Sequence, residues 1–328
     1  MKLLVSGANG FIGSHLLKHF SQTGDYDVWG IVRKTSNLFR LEGGSYHLLR
    51  ASLSDQLDPL VRGFDAVIHT AALASDWGFD QDFYRTNVDG TLNILNASMR
   101  CGVERFIYLS STVVYGFGGH RSTTEEQEGR PFPNSYCITK TIAERKIREQ
   151  AKEINLFVLR PSNVYGPWDT NFTLSLLRGI ERGLYGFPAG GRFLTSPCYV
   201  KNLVSAVERT LKSRGPFGEV FNITDGKDIP WIEFLKIIAG QMGRRPPWIS
   251  VPVWALSLIS ALLETLYNGF KSKKPPLITR YRVAQAGNDY SFSIGKAKQL
   301  LSYCPPYSTQ EGVRESILWY NTYGEKIR

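Results

Sequence analysis

The sequence predicts a doubly wound α/β fold: a parallel sheet covered by helices on both faces, with a smaller C-terminal substrate lobe. Three observations carry the prediction. Short apolar runs rich in Val, Ile, Leu and Phe recur at 3–6, 27–32, 66–70, 105–110, 156–160 and 220–224. Longer amphipathic stretches separate them, and a glycine-rich turn follows the first run at once. A strand that is apolar throughout must be shielded on both faces, and crossover helices between parallel strands supply that shield. The chain of 328 residues is long enough for one large or two closely packed domains. The alternation holds to about residue 165, and the run near 203–225 is expected to complete the sheet. Gly and Pro punctuation thickens at 186–191, 244–247 and 271–276, so residues 166–202 and 226–328 are assigned to the substrate lobe.

The first run leads into Gly7-Ala-Asn9-Gly10-Phe11-Ile12-Gly13 and then a helix-like stretch beginning at Ser14. Glycine is needed where the backbone turns tightly, approaches a pyrophosphate and packs a helix on a strand. The helix N-terminus adds amide donors and a favourable dipole. This segment is therefore the expected dinucleotide site. After the second run, where binders of NAD place a carboxylate on the ribose hydroxyls, the chain reads Val32-Arg33-Lys34. A ribose 2′-phosphate prefers cations, so Arg33 and Lys34 point to NADP(H) over NAD(H).

Tyr136 and Lys140 stand four residues apart on one helix face. A phenol is a poor acid or base at neutral pH unless a nearby cation stabilises its anion, and this spacing supplies one. The fourth run ends in Ser110-Ser111-Thr112, 25 residues before Tyr136 when counted from Ser111. Ligands of open α/β sheets bind beyond strand C-termini, where a hydroxyl can hold a reacting oxygen. Ser111 is the choice; Ser110 and Thr112 are the alternatives, because adjacent strand residues face opposite ways.

Composition excludes other classes. The net charge of +10 lacks blocks of basic residues interleaved with aromatics, so no nucleic-acid partner is expected. The four cysteines form no CxxC pair and the five histidines no HExxH spacing, so neither a metal site nor a disulfide framework is expected. The apolar start is shorter than a signal-peptide core, which fits a cytoplasmic protein.

Together with Val67-Ile-His-Thr-Ala71-Ala72, Tyr84-Arg-Thr-Asn87-Val-Asp-Gly-Thr91 and Leu159-Arg-Pro161-Ser-Asn-Val-Tyr-Gly-Pro167, these motifs resemble the extended short-chain dehydrogenase/reductases over essentially the whole chain. The resemblance implies a Rossmann domain, a nicotinamide cofactor, a homodimer, the Ser111-Tyr136-Lys140 machinery and cofactor contacts at Ala71, Ala72, Asn87 and Pro161. Nucleotide-sugar epimerases of this family carry an Arg-Asp-Phe-Ile-Tyr-Val-like stretch, whereas this chain has Thr195-Ser-Pro-Cys-Tyr199-Val200. The runs from Tyr199, Phe221 and Ser291 look instead like the 3β-hydroxysteroid dehydrogenase-like and dihydroflavonol reductase-like branches. The implied activity is NADP-dependent interconversion of a ketone and a secondary alcohol on a fairly apolar small molecule. An NAD-dependent nucleotide-sugar epimerase or dehydratase is the alternative.

Residues 253–267 form an apolar helix with a narrow polar stripe at Ser257, Ser260 and Glu264, flanked by Arg244, Arg245, Lys271, Lys273 and Lys274. Such a helix is either buried in the core or a dimer interface, the preferred expectation, or it lies on an anionic membrane surface through 253–274. Trp77 and Phe79 are expected to pack or to line an apolar pocket.

Overall fold

The structure is a computed structural model and describes residues 1–183, 186–272 and 274–324. Seven strands form one parallel sheet: β1 (Lys2–Ser6), β2 (Asp27–Val32), β3 (His47–Arg50), β4 (Ala66–His69), β5 (Arg105–Leu109), β6 (Asn155–Pro161) and β7 (Glu219–Ile223). Their spatial order is β3-β2-β1-β4-β5-β6-β7. Six of the strands are those expected. The seventh, β3, is a half-exposed edge strand of sequence His-Leu-Leu-Arg, too short and polar to register as an apolar run.

Alternate side chains of each strand feed opposite layers. Leu3, Val5, Ile68, Ile107, Leu109 and Phe157 pack under α1 (Phe11–Gln22). Leu4, Val67, Phe106, Tyr108, Leu156 and Val158 pack under α2 (Gly90–Arg100) and α3 (Ser135–Gln150). The first layer also receives Leu203, Ala206 and Val207 of α4 (Val200–Lys212). Burial on both faces is the reason the strands read as unbroken apolar runs.

Chain order reverses between β1 and β4, whose paired strands end at Ser6 and His69. Connections there leave in opposite directions and open a crevice beyond the strand ends. A third core, centred on Tyr165, Leu177, Trp231, Phe234 and Trp319, holds the remaining lobe together. The two halves interlock: His120–Thr123 pairs with Tyr290–Phe292 in a small second sheet.

The helix α5 (Val253–Gly269) departs from the core-packing expectation. Its buried residues are Ser260 and Glu264, and Leu258, Leu262 and Leu266 face outward. Glu264 decides the orientation, since its carboxylate accepts the Arg280 backbone N–H at 2.7 Å and the guanidinium Nε at 2.6 Å. A carboxylate with two such donors is satisfied only facing inward. Lys273 lies outside the described residues.

Candidate active site

Three glycines do three jobs in the turn after β1. Gly7 has φ +69°, and a Cβ there would sit 2.7 Å from the Ala71 Cα. A Cβ on Gly13 would come 2.3 Å from the Gly7 carbonyl oxygen, so that position lets α1 press onto the turn. Gly10 is different. A Cβ there would meet only the Gly7 oxygen, at 3.0 Å, and otherwise open space. Gly10 caps α1 without a side-chain bond, and the first turn contains no acidic residue. The N-terminus thus presents the amides of Phe11, Ile12 and Gly13 and a positive dipole end to the crevice, a cradle that fits a dinucleotide pyrophosphate. Asn9 reaches across it, donating to the Asn37 carbonyl at 3.4 Å.

Arg33 and Lys34 are exposed beyond the end of β2. Arg50, at the end of β3, donates to both of their carbonyl oxygens at 3.2 Å and gathers a third cation at this corner. Sequence reasoning missed Arg50 because it missed β3.

The loop after β4 is pinned by Asn87. Its Oδ1 accepts from the Leu73 N–H at 2.7 Å, while Nδ2 donates to the Leu73 carbonyl and to Thr139 Oγ1 at 3.2 and 3.1 Å. Asn87 therefore ties the stretch containing Ala71 and Ala72 to the Tyr136 helix. It sits in a wide turn, a π-helix over Tyr84–Asp89, which reorients side chains relative to a regular helix.

The hydroxyls ending β5 divide their duties. Ser110 is buried and donates to the Glu144 carboxylate. Thr112 is buried against the Tyr290 hydroxyl at 2.8 Å and reaches the Pro161 carbonyl at 3.4 Å. Ser111 alone of the three keeps exposed surface; its hydroxyl caps a short helical turn by accepting the Val113 N–H at 3.3 Å and lies close enough to the Tyr136 phenol to lower its pKa. Tyr136 stands at the start of α3, whose first turn Asn134 caps by accepting the Tyr136 N–H at 2.9 Å. Phe117, Phe132 and Tyr281 belong to the apolar cluster around it.

Burial dominates the electrostatics. Desolvation pushes the Tyr136 phenol up to about 12, against the opposing hydrogen bond with Ser111. Lys140 is buried, donates to the Leu109 carbonyl at 2.6 Å and lies 4.3 Å from the Tyr108 ring centroid. Desolvation lowers it to about 7, and the Glu144 carboxylate pulls the other way. Glu144 in turn pairs with Arg160, whose NH1 donates to the Tyr115 hydroxyl at 2.6 Å. Burial disfavours the Arg160 charge, but Glu144 outweighs it and holds that group above its usual value. The ladder Ser110–Glu144–Arg160–Tyr115 beneath Lys140 was not anticipated. Its one sequence signal was Glu144 four residues after Lys140, on the same helix face.

Every residue expected at the site thus lies at the C-terminal edge of the parallel sheet, around the crevice and the ends of β2, β5 and β6. Trp77 belongs to the lobe contact instead, donating to the Ser272 carbonyl at 2.8 Å, and Phe79 is exposed.

Comparison with known proteins identifies the family and the fold. Residues 3–224 match the NAD dependent epimerase/dehydratase family. A 4-hydroxy-2-methyl-3-oxo-4-farnesyl-3,4-dihydroquinoline-1-oxide ketoreductase of Stigmatella aurantiaca is 27% identical, with 95% of each chain covered. The 3beta-hydroxysteroid-dehydrogenase/decarboxylase isoform 1 of Arabidopsis thaliana is 31% identical over 84% of this chain and 67% of its own. Among solved structures, MoeE5 in complex with UDP-glucuronic acid and NAD superposes with a TM-score of 0.78 at 26% identity, covering 98% of this chain and 99% of MoeE5. With its parallel sheet, glycine turn and Ser-Tyr-Lys cluster, the chain belongs to the NAD dependent epimerase/dehydratase family of the extended short-chain dehydrogenase/reductases.

Proposed function

We propose that the protein is an NADP-dependent oxidoreductase that interconverts a ketone and a secondary alcohol on a fairly apolar small molecule. The observation that carries this reading is the meeting of the Ser111 and Tyr136 hydroxyls beside an apolar cluster at the strand ends. When bound, a nicotinamide dinucleotide supplies or accepts the hydride. Ser111 holds the substrate oxygen, and Tyr136, protonated at neutral pH, hands its phenolic proton to that oxygen in the reducing direction. Lys140 binds the ribose side and supplies positive charge as the phenol gives up its proton. Ala71, Ala72, Asn87 and Pro161 complete the cofactor groove.

Two features favour an apolar substrate. The stretch Thr195–Val200 carries no arginine, the residue that meets the diphosphate of a nucleotide sugar in related epimerases. The ketoreductase relative, moreover, is named for a farnesylated substrate.

Titration of the purified protein with NADPH and NADH, followed by nicotinamide fluorescence, tests the reading. Binding of NADPH is expected to be at least about tenfold tighter, since charge-assisted hydrogen bonds are worth about 1.5–3 kcal/mol. R33D should erase that preference. NAD carried through purification, with turnover needing no added nicotinamide, would instead identify an epimerase acting on nucleotide sugars.

The glycines give a paired prediction. G10V should fold with an unchanged thermal midpoint and lose at least about tenfold in NADPH affinity, because its side chain fills the open cradle. G13V should lower the midpoint itself, because its side chain meets the Gly7 backbone. Differential scanning fluorimetry beside the fluorescence titration distinguishes the two.

A further inference from the structure

We infer that the apolar face of α5 is an interfacial anchor that seats the protein on an anionic lipid surface and sets the mouth of the site against it. The helix is inverted relative to an ordinary surface helix. Its outward face carries Trp254, Leu258 and Leu262, which are 69%, 65% and 63% exposed, together with the exposed Leu266. Trp248 before it and Phe270 after it extend the face, at 73% and 82% exposed. A contiguous apolar face of this kind on a soluble domain marks a surface that meets something else.

Charge selects the occupant. Residues 244–282 contain seven basic residues and one acidic residue. That acid is Glu264, turned inward onto Arg280, so its charge is withdrawn from the outward face. Arg244, Arg245, Lys271 and Lys274 are exposed at the two ends of the helix. An apolar face rimmed by cations, with tryptophans at its edge, matches the boundary between anionic headgroups and acyl chains. A second copy would instead bring two cationic rims together, which like charge opposes. The helix has 17 residues, and none of the described helices is long and apolar enough to cross a membrane, so it lies in the interface.

The anchor is wired to the chemistry. Just beyond it, the Ser272 carbonyl accepts from Trp77 Nε1 at 2.8 Å. Asp76, the next residue, accepts from Thr279 Oγ1 at 2.8 Å and pairs with Arg282 at 2.7 Å. The Asp76 carbonyl accepts from Asn134 Nδ2 at 3.0 Å, and Asn134 caps the helix that begins beside Tyr136. Docking through α5 therefore places the Tyr136 end of the site next to the bilayer, where an apolar substrate partitions.

The test is flotation of the full-length protein with vesicles of phosphatidylcholine, alone or mixed with phosphatidylglycerol. It needs neither cofactor nor turnover, so its result is independent of the proposed activity. The protein is expected to float with the mixed vesicles, to bind the neutral ones far more weakly and to be released by high salt. L258E/L262E should abolish flotation while leaving the NADPH titration unchanged, which also verifies folding. K271Q/K274Q should weaken partition about 25-fold, roughly fivefold for each charge. Failure to float with the mixed vesicles, or equal binding to neutral ones, overturns the inference. So does a molar mass in light scattering that halves in L258E/L262E, since a second copy would then cover the face.

Discussion

Tyr136→Phe is expected to lower kcat/KM for ketone reduction by about 10²- to 10⁴-fold, the range spanned by removal of a positioned general acid. The substitution deletes one oxygen and keeps the ring that packs against the apolar cluster containing Phe117 and Tyr290. NADPH affinity and thermal midpoint should therefore stay close to those of the parent protein. The pH profile adds a check. Because desolvation holds the phenol near 12, the proton-donor form persists across the neutral range, and reduction should show no loss from this group below that value. Alcohol oxidation needs the opposite form, so its rate should climb with pH. A Tyr136→Phe variant retaining more than about a tenth of parental turnover would remove this residue from the chemistry.

Lys140→Met is expected to move activity and stability in opposite directions. The lysine falls from 10.5 to about 7 because the folded protein desolvates its ammonium. Below pH 7 both folded and unfolded chains carry the proton, and folding bears the whole desolvation penalty. Between pH 7 and 10.5 the unfolded chain holds more protons than the folded one, so stability rises with pH across that window. A difference of this size corresponds to at most about 5 kcal/mol. Methionine removes it but leaves the Leu109 carbonyl without its donor, a cost of about 1–3 kcal/mol. The net expectation is a thermal midpoint that is a few degrees higher at pH 7, with the rise toward pH 10 abolished. Turnover should fall at least about 10²-fold, because the phenol loses the neighbouring positive charge. Calorimetry at pH 6, 8 and 10 checks the first claim and NADPH consumption the second; a midpoint that drops at all three would mean that Lys140 stabilises the fold.

Much of this candidate site is legible in the amino-acid sequence. The glycines sit directly behind the first apolar run, and the Tyr136/Lys140 spacing places both groups on one helical face, so local periodicity suffices to find them. The reading failed where long-range partners decide. β3 was missed because an edge strand is half solvated and need not be apolar. The apolar composition of α5 favours packing in the core or against a second copy, yet within the chain Arg280, sixteen residues beyond Glu264, holds that carboxylate inside and leaves Leu258 and Leu262 facing out.

The sequence by itself determined the sheet of alternating runs, the dinucleotide turn, and the identity of the paired phenol and ammonium. These depend on contacts within a few residues, where chain geometry leaves little choice. Only the tertiary structure decided which of three consecutive hydroxyls is left to face Tyr136, since Glu144 and Tyr290, from distant segments, engage the other two. It alone brought Arg160 onto the Glu144 carboxylate below Lys140 and set the apolar side of α5 toward solvent. Each is an outcome of partner satisfaction: a buried polar group goes where its hydrogen bonds can be made, and that place is defined by segments far away in the chain.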